Sequence, residues 1–369
     1  MFRLPHQQES QHSQRAHLLI LADLVRLGGY WPVYSTVARY FKDPRLRIVF
    51  SFHPLLIGGN PFDATAIYCL IAFLEKAHGV HFAMGGTGAI TRALEDLMRR
   101  QGVRILLDTT VSALQVSGKR AEAVILADGT VMAADVIVSN ADPAFLYRQM
   151  IPHRKQSLPV RAKLAAAEYS MGLYVLYFGT TRSYPEVVHH TIWMGERYRE
   201  LLADIFDHKT LSEDFSLYLH RPTATDPSFA PPGCDSFYVL CPVPNLLGKI
   251  DWDTAGPQLR NRIVAALGET LLPGLEQSIT AEFAMTPEDF KEDYLSEQGA
   301  GFSIAPIFRQ SAWFRFHNRA EGIRNLYLVG AGTYYAKVYE YNGVSCSHSM
   351  VGNNQLTGYR LLLDKVYEA

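Results

Sequence analysis

Apolar and polar positions change rhythm several times along the chain, and each change marks an element. From Leu24 to about Tyr40 the apolar residues recur at helical spacing. A second helix is predicted from Pro44, because Asp43-Pro44 joins a capping carboxylate to a proline suited to the first helical position. It carries Leu46, Ile48, Val49, Phe50 and Phe52 as far as His53-Pro54. The run "LLIGGNPFDATAIYCLIAFLEKAHG" reads as a glycine turn, a loop, and a helix from about Ala64 to Lys76 closed by Gly79.

The stretch "FAMGGTGAITRALEDLMRRQGVRILLDTTVSALQVSGKRAEAVILADGTVMAADVIVSNADP" is the most regular. It predicts a glycine turn at Gly85 to Gly88, a helix from about Ala89 to Arg100 closed by Gly102, and a strand at Val103 to Leu107. A β-meander with a hairpin turn at Asp128-Gly129 follows, then a helix start at Asp142-Pro143. Strand, helix and meander in alternation are the pattern of an α/β nucleotide-binding domain. From about Arg161 to Phe290 the pattern shifts to aromatic-rich strands, "YSMGLYVLYFGT", "EDFSLYLHRPT" and "DSFYVLCPVPNL", with the amphipathic helix "GPQLRNRIVAALGETLLPGLEQSI". This predicts a second domain built on an antiparallel sheet, after which Ser303 to Ile307 and a strand from Leu326 to Val329 return to the first. That last strand runs into a tight turn of small residues, Gly330 to Thr333, of the kind that lets backbone approach a dinucleotide phosphate. The aromatic residues Tyr334, Tyr335, Tyr339 and Tyr341 then stand where small residues opening a helix are expected.

Composition narrows the classes. The 369 residues allow two or three domains. With 35 Lys+Arg against 36 Asp+Glu there is no basic field, so no nucleic-acid partner is expected. The aromatic fraction of 12% suits an apolar cavity and equally a large core; most of these residues are expected in the core and a minority facing a cavity. Cys69, Cys234, Cys241 and Cys346 form no C-x-x-C pair, which argues against a zinc site or disulfide framework and for a reduced, cytoplasmic setting. The first two dozen residues are not patterned as a secretory leader. The apolar runs "HLLILADLV" and "AIYCLIAFLE" fall short of the roughly 20 residues a spanning helix needs, so any membrane contact is at the surface.

Candidate chemistry is sparse. His189 and His190 are adjacent, and on a strand they would point to opposite faces, so no shared metal ion is expected there. No G-x-S-x-G elbow supports a hydrolase. Asp142 and Asp235 are expected to serve caps and turns. Gly85, Gly86 and Gly88 could hold a phosphate against the following helix or simply admit the chain to it.

Taken together, "FSFHPLLIGGNPF", "GGTGAITRALEDLMRRQGVRILLDTTVSAL", "VIVSNADP", "FSLYLHRPTATDPSFAPPGCDSFYVLCPVPN", "QSAWFRFHNR" and "NLYLVGAGT" resemble the bacterial-type phytoene desaturases over roughly residues 24 to 333. These are FAD-dependent carotenoid oxidoreductases related to the amine oxidases. The resemblance implies an α/β fold, with an FAD-binding two-dinucleotide-binding (Rossmann-like) domain, incomplete here, and an α+β substrate domain on an antiparallel sheet. It divides the chain into an unmatched segment 1–23, a helical part of the substrate or membrane-facing domain 24–78, an FAD-binding portion 79–150, a substrate domain 151–298, an FAD-binding return 299–333 and a divergent tail 334–369.

The implied activity is desaturation of phytoene towards lycopene or a less desaturated carotene, by hydride transfer to flavin N5 with a proton leaving separately. The implied partners are phytoene and carotene intermediates, a membrane surface from which a peripheral, cytoplasmic enzyme draws them, and oxygen or a quinone as electron acceptor. By position, Val111 would contact the adenine through its backbone, while Gly330, Ala331, Gly332 and Thr333 would form the turn near the pyrophosphate and ribityl chain, with Gly85, Gly86 and Gly88 as further candidates. No catalytic acid or base stands out. The family's opening strand and G-x-G-x-x-G turn have no counterpart here, and the stretch after "GAGT" departs from the family pattern, so an internal fragment that does not hold FAD is expected. A related carotenoid isomerase or saturase, an amine oxidase, and a non-catalytic remnant that binds a membrane or partner stay open as alternatives.

Overall fold

The computed structural model describes residue 23 and residues 25–333. The expectations for residues 334–369 and for most of residues 1–23 lie outside these. Helical spacing over 24–40 does not give one helix. Gly28 turns the chain at φ +69 and Pro32 bridges to Thr65, which leaves α1 (Val33–Ala38) as the regular part. Helix α2 (Pro44–Ser51) starts as predicted, the Asp43 carboxylate accepting from the Arg45 N–H at 2.8 Å. Its continuation tightens into a 3₁₀ turn at His53–Ile57, ended by the left-handed Gly58. Helix α3 (Leu70–His78) follows a Thr65-capped turn and stops at Gly79.

Helix α4 (Gly86–Arg100) begins three residues before the position expected from the sequence. Val103–Leu107 is not a strand: it joins none of the sheets among the described residues, and apolar alternation alone cannot supply a ladder. Strands β1 (Val111–Ser117), β2 (Arg120–Leu126) and β3 (Val131–Ala133) form the predicted antiparallel meander. Strand β4 (Ile137–Ser139) leads to α5 (Pro143–Phe145), capped by Asp142 through the N–H groups of Ala144 and Phe145 at 2.9 and 3.1 Å. Helix α6 (Leu158–Ala165) closes this half.

The second half is built on β5 (Gly172–Thr180), β6 (His190–Trp193), β7 (Leu217–His220), β8 (Asp235–Val243) and β9 (Ile279–Met285), a five-stranded antiparallel sheet in the order β6-β7-β8-β5-β9. Its period-2 alternation sorts the aromatic surplus. Tyr174, Leu176 and Phe178 of β5 point with Phe237 and Val239 of β8 to one face, against Leu259, Ile263 and Leu267 of helix α7 (Trp252–Glu269). Burial of each such side chain is worth about 1.5–3 kcal/mol. Leu173, Val175 and Leu240 point to the other face, against the short helix Tyr198–Ala203. The amphipathic helix expected to run to Ile279 ends at Glu269, before Pro273 and the left-handed Gly274, and Ile279 instead opens β9.

Strand β10 (Leu326–Leu328) returns to the first half and pairs in parallel with β4, Leu326 beside Ile137 and Leu328 beside Ser139. Asn325 ties this pair to the meander. Its buried side-chain amide donates to the Ala121 and Asp135 carbonyls at 2.6 and 2.8 Å, and its carbonyl accepts from the Ala121 N–H at 2.9 Å. Cys69, Cys234 and Cys241 are free thiols, and Cys346 lies outside the described residues.

Candidate cofactor turn and apolar cavity

In α/β proteins ligands collect beyond the carboxyl ends of parallel strands. Beyond β4 and β10 lie Asn140 to Asp142 and the Gly330–Thr333 turn. Gly330 sits at φ +101, and a Cβ there would be 2.5 Å from Asn140 Oδ1. A Cβ on Gly332 would meet Pro143 Cδ at 2.5 Å and Ser303 Oγ at 2.7 Å. The Ala331 carbonyl accepts from Arg315 at 2.6 Å. Thr333 closes the turn, its hydroxyl donating to the Gly330 carbonyl at 2.8 Å, and Asn318 donates to that hydroxyl at 3.3 Å. Asn318 Oδ1 is buried with no hydrogen-bond partner. Beneath the turn, burial pushes the Asp142 carboxyl above its ordinary value. Val111 opens β1 beside an irregularity in its pairing with β2, its side chain in the core.

The other glycine turn is elsewhere. The Gly85 N–H donates to the Asp226 carboxylate at 2.7 Å, and a Cβ on Gly86 would be 2.7 Å from the Phe229 ring. Gly88 faces the Arg92 side chain. A protein carboxylate therefore already holds the end of α4 where a phosphate was considered, and bonds from Ser228 and Gly85 keep it below the usual carboxylate range. The structure does not bring Gly85, Gly86 and Gly88 together with Gly330, Ala331, Gly332 and Thr333. Gly86 instead lines a cavity.

That cavity, about 850 Å³, lies on the face of the large sheet opposite α7. Its wall includes Leu55, Phe82, Ile90, Tyr177, Phe229 and Phe283. Phe302 also lines it, and the next residue, Ser303, in the left-handed region at φ +63, is the one that approaches Gly332. Cavity and turn are thus joined through adjacent residues. The two wall carboxylates are engaged: Glu75 with His53 at 3.4 Å and Glu282 with Arg260 at 2.8 Å.

Sequence reasoning missed a polar cluster at this wall, where His190 and His220 line the cavity and His189 lies beside them. His189 precedes β6, so strand alternation does not separate it from His190, and their ring centroids are 4.3 Å apart. His220 stands directly opposite His190 in the β6–β7 register. Burial, reinforced by the neighbouring rings, pushes His190 down to about 4 and His220 down to about 3. Register was the missing signal, and it is set by turns and pairing that single strands do not reveal. Asp235 was also misjudged. It opens β8 and pairs with buried Arg221 at 2.9 Å instead of capping a turn.

The sequence model of the flavin containing amine oxidoreductases matches residues 7–339. The chain belongs to that family. The match begins inside the 1–23 segment that the resemblance had left out and extends into the 334–369 tail. Among curated proteins, the lycopene-forming phytoene desaturase of a Paracoccus species is 46% identical over 312 residues, 84% of this chain and 62% of that one. The lycopene-forming enzyme of Pantoea ananas is 44% identical over 87% of this chain and 66% of its own length. The neurosporene-forming phytoene desaturase of Rhodobacter capsulatus is 45% identical over 82% of this chain and 59% of that one. The chain thus spans less than two thirds of the Paracoccus relative's length. An oxidoreductase from Methanosarcina mazei has the same fold, with a TM-score of 0.60 at 14% identity over 88% of this chain and 68% of that one.

Proposed function

We propose that the protein acts as an FAD-dependent carotenoid desaturase, taking phytoene towards lycopene. The observation that carries this reading is the apolar 850 Å³ cavity lined by Phe302, whose chain neighbour Ser303 packs against the Gly330–Thr333 turn at Gly332. A hydrocarbon offers no hydrogen bonds, so its site needs shape and dryness more than polar contacts, and this wall supplies both.

The residues fit the dinucleotide. Gly330 and Gly332 leave backbone bare at the ends of the parallel strands, and the unpartnered Asn318 Oδ1 suits a ribityl or ribose hydroxyl. Val111 would meet the adenine through its backbone. When bound, the flavin supplies the acceptor for a hydride from a saturated carbon–carbon unit, and oxygen or a quinone takes the electrons onward. The chain itself holds the polyene by non-directional contact, excludes water, and keeps the turn rigid through Arg315 and Asn318.

A membrane surface is the proposed source of substrate. No helix among the described residues is long and apolar enough to cross a membrane. Yet Leu70, Phe73 and Leu74 on α3 and Ile90, Leu94 and Leu97 on α4 are exposed at helical spacing, on helices that also give Glu75 and Ile90 to the cavity wall.

The test is the visible spectrum of the full chain after incubation with FAD and liposomes and removal of free cofactor, followed by anaerobic mixing with phytoene. Bound flavin that bleaches on phytoene, with longer-wavelength polyene absorption appearing, is expected. A folded chain without bound flavin, or one whose flavin bleaches with amines and not with phytoene, would overturn the reading.

A further inference from the structure

Hydrocarbon chemistry has no use for the histidine cluster on the cavity wall. The candidate ligand atoms of His189, His190 and His220 lie within 4.8 Å of one another. Each Nδ1 is engaged by a hydroxyl: His189 with Thr225 at 2.5 Å, and His190 and His220 with the same Tyr218 oxygen at 2.6 and 3.2 Å. A phenolic oxygen has two lone pairs, so Tyr218 can accept from both rings. In that tautomer the Nε2 atom of each ring keeps its lone pair for an ion. His189 Nε2 is buried and makes no hydrogen bond. The ring planes are inclined at 36°, 87° and 61° to one another, with centroids 4.3, 4.6 and 5.1 Å apart, so the three rings cluster without stacking.

We propose that His189, His190 and His220 form a site for one divalent transition-metal ion beside the cavity that His190 and His220 line, with Thr225 and Tyr218 orienting the rings. Zn–N bonds of about 2.0–2.1 Å place tetrahedral ligands roughly 3.4 Å apart, so side-chain rotation of about an ångström closes the set. A hydrogen-bond acceptor on the far nitrogen orients a ligating histidine, and here the Thr225 and Tyr218 hydroxyls stand in that place. Three imidazoles without thiolate or oxygen ligands suit Zn²⁺, Co²⁺, Ni²⁺ or Cu²⁺ and exclude Mg²⁺ and Ca²⁺ as good fits. Neutral imidazole is the form that ligates. The site does not depend on flavin or on the identity of the substrate.

The experiment is a titration of the purified full chain with Co²⁺ alone, read by ligand-field absorption in the visible, with affinity from competition against a chelator. One tightly held Co²⁺ per chain with a four- or five-coordinate spectrum is expected. His220→Gln should weaken binding by more than the roughly 10- to 100-fold that loss of an orienting partner costs, and Thr225→Val by that smaller factor. His317→Gln, at a half-buried ring outside the cluster bonded to the Trp313 carbonyl, should change nothing. Should His220→Gln fail to fold by near-ultraviolet circular dichroism, His189→Gln, at a less buried ring, reads the same loss. No ligand-field band, or a band unchanged in a folded cluster variant, would overturn the site.

Discussion

At the scale of single residues the sharpest commitment is Asp235. Its carboxylate is buried and accepts from the Tyr184 N–H at 2.7 Å, the Arg221 guanidinium at 2.9 Å, the Ser183 hydroxyl at 3.1 Å and the Thr223 hydroxyl at 2.5 Å. Arg221 also donates to the Val187 carbonyl at 2.8 Å, so the pair staples three segments around the edge of the sheet. Removing one partner of a buried pair strands the other charge, at a cost of about 3–5 kcal/mol. Asp235→Ala is therefore expected to lower the urea midpoint by that equivalent, with no change in slope. Burial alone would raise this carboxyl, but the bonds from Thr223, Tyr184 and Arg221 outweigh it and hold the group below 3.8. A depressed carboxyl contributes stability that is present above its unfolded value and lost as pH falls through its folded value. Acid unfolding should therefore steepen below about pH 4 in the wild type, and Asp235→Asn should flatten that limb; equal acid limbs would show that the bonds do not hold the charge.

At the scale of elements the two glycine turns make different demands. Gly330 combines φ +101 with a neighbour 2.5 Å from any added Cβ, whereas Gly129 in the β2–β3 hairpin has φ +85 and nothing within 4 Å. Alanine at either position bears the strain of an unfavourable backbone region, of order 1–3 kcal/mol. Only Gly330→Ala also forces Asn140 aside. Gly330→Ala should thus lose flavin from a chain that retains it, while Gly129→Ala costs comparable stability and keeps the flavin; loss in both would mean that strain alone, and not the turn's close approach, governs binding. Much of this punctuation was readable beforehand. Asp43-Pro44 and Asp142-Pro143 cap helices because a short carboxylate reaches free N–H groups locally, and Gly79 and Gly102 end helices because the left-handed turn needs no partner from elsewhere. What depends on distant chain was not readable. Val103–Leu107 has strand composition but joins none of the sheets among the described residues, the 24–40 spacing is cut by the Pro32 bridge to Thr65, and the histidine cluster exists only because β6 and β7 meet in one register. Gly85 looked like a phosphate turn because sequence does not show Asp226 arriving at its N–H.

At the scale of the whole molecule the question is how an apolar substrate would reach an apolar cavity. The net charge of −1 gives no general attraction to anionic lipid, so any docking must come from buried apolar area and local charge. Leu94 on α4 is 49% exposed and Phe73 on α3 is 61% exposed, each within a stripe that runs beside cavity-lining residues. Lys76, Arg92, Arg99 and Arg100 lie on the same two helices, where they can meet headgroups while the apolar stripes enter the interface. Burial of one such side chain is worth about 1.5–3 kcal/mol, and introduction of a carboxylate removes that gain and adds repulsion from anionic lipid. Phe73→Glu and Leu94→Glu should therefore each reduce co-sedimentation with anionic vesicles by about 10-fold or more, 1.4 kcal/mol being a factor of ten. Val131→Glu, an exposed apolar position on β3, is the control for surface charge and should bind as the wild type does. Equal loss in all three variants would place the attraction in overall charge. Undiminished binding in Phe73→Glu and Leu94→Glu would remove these helices from the substrate's path and leave the cavity to be filled from solution or by a carrier.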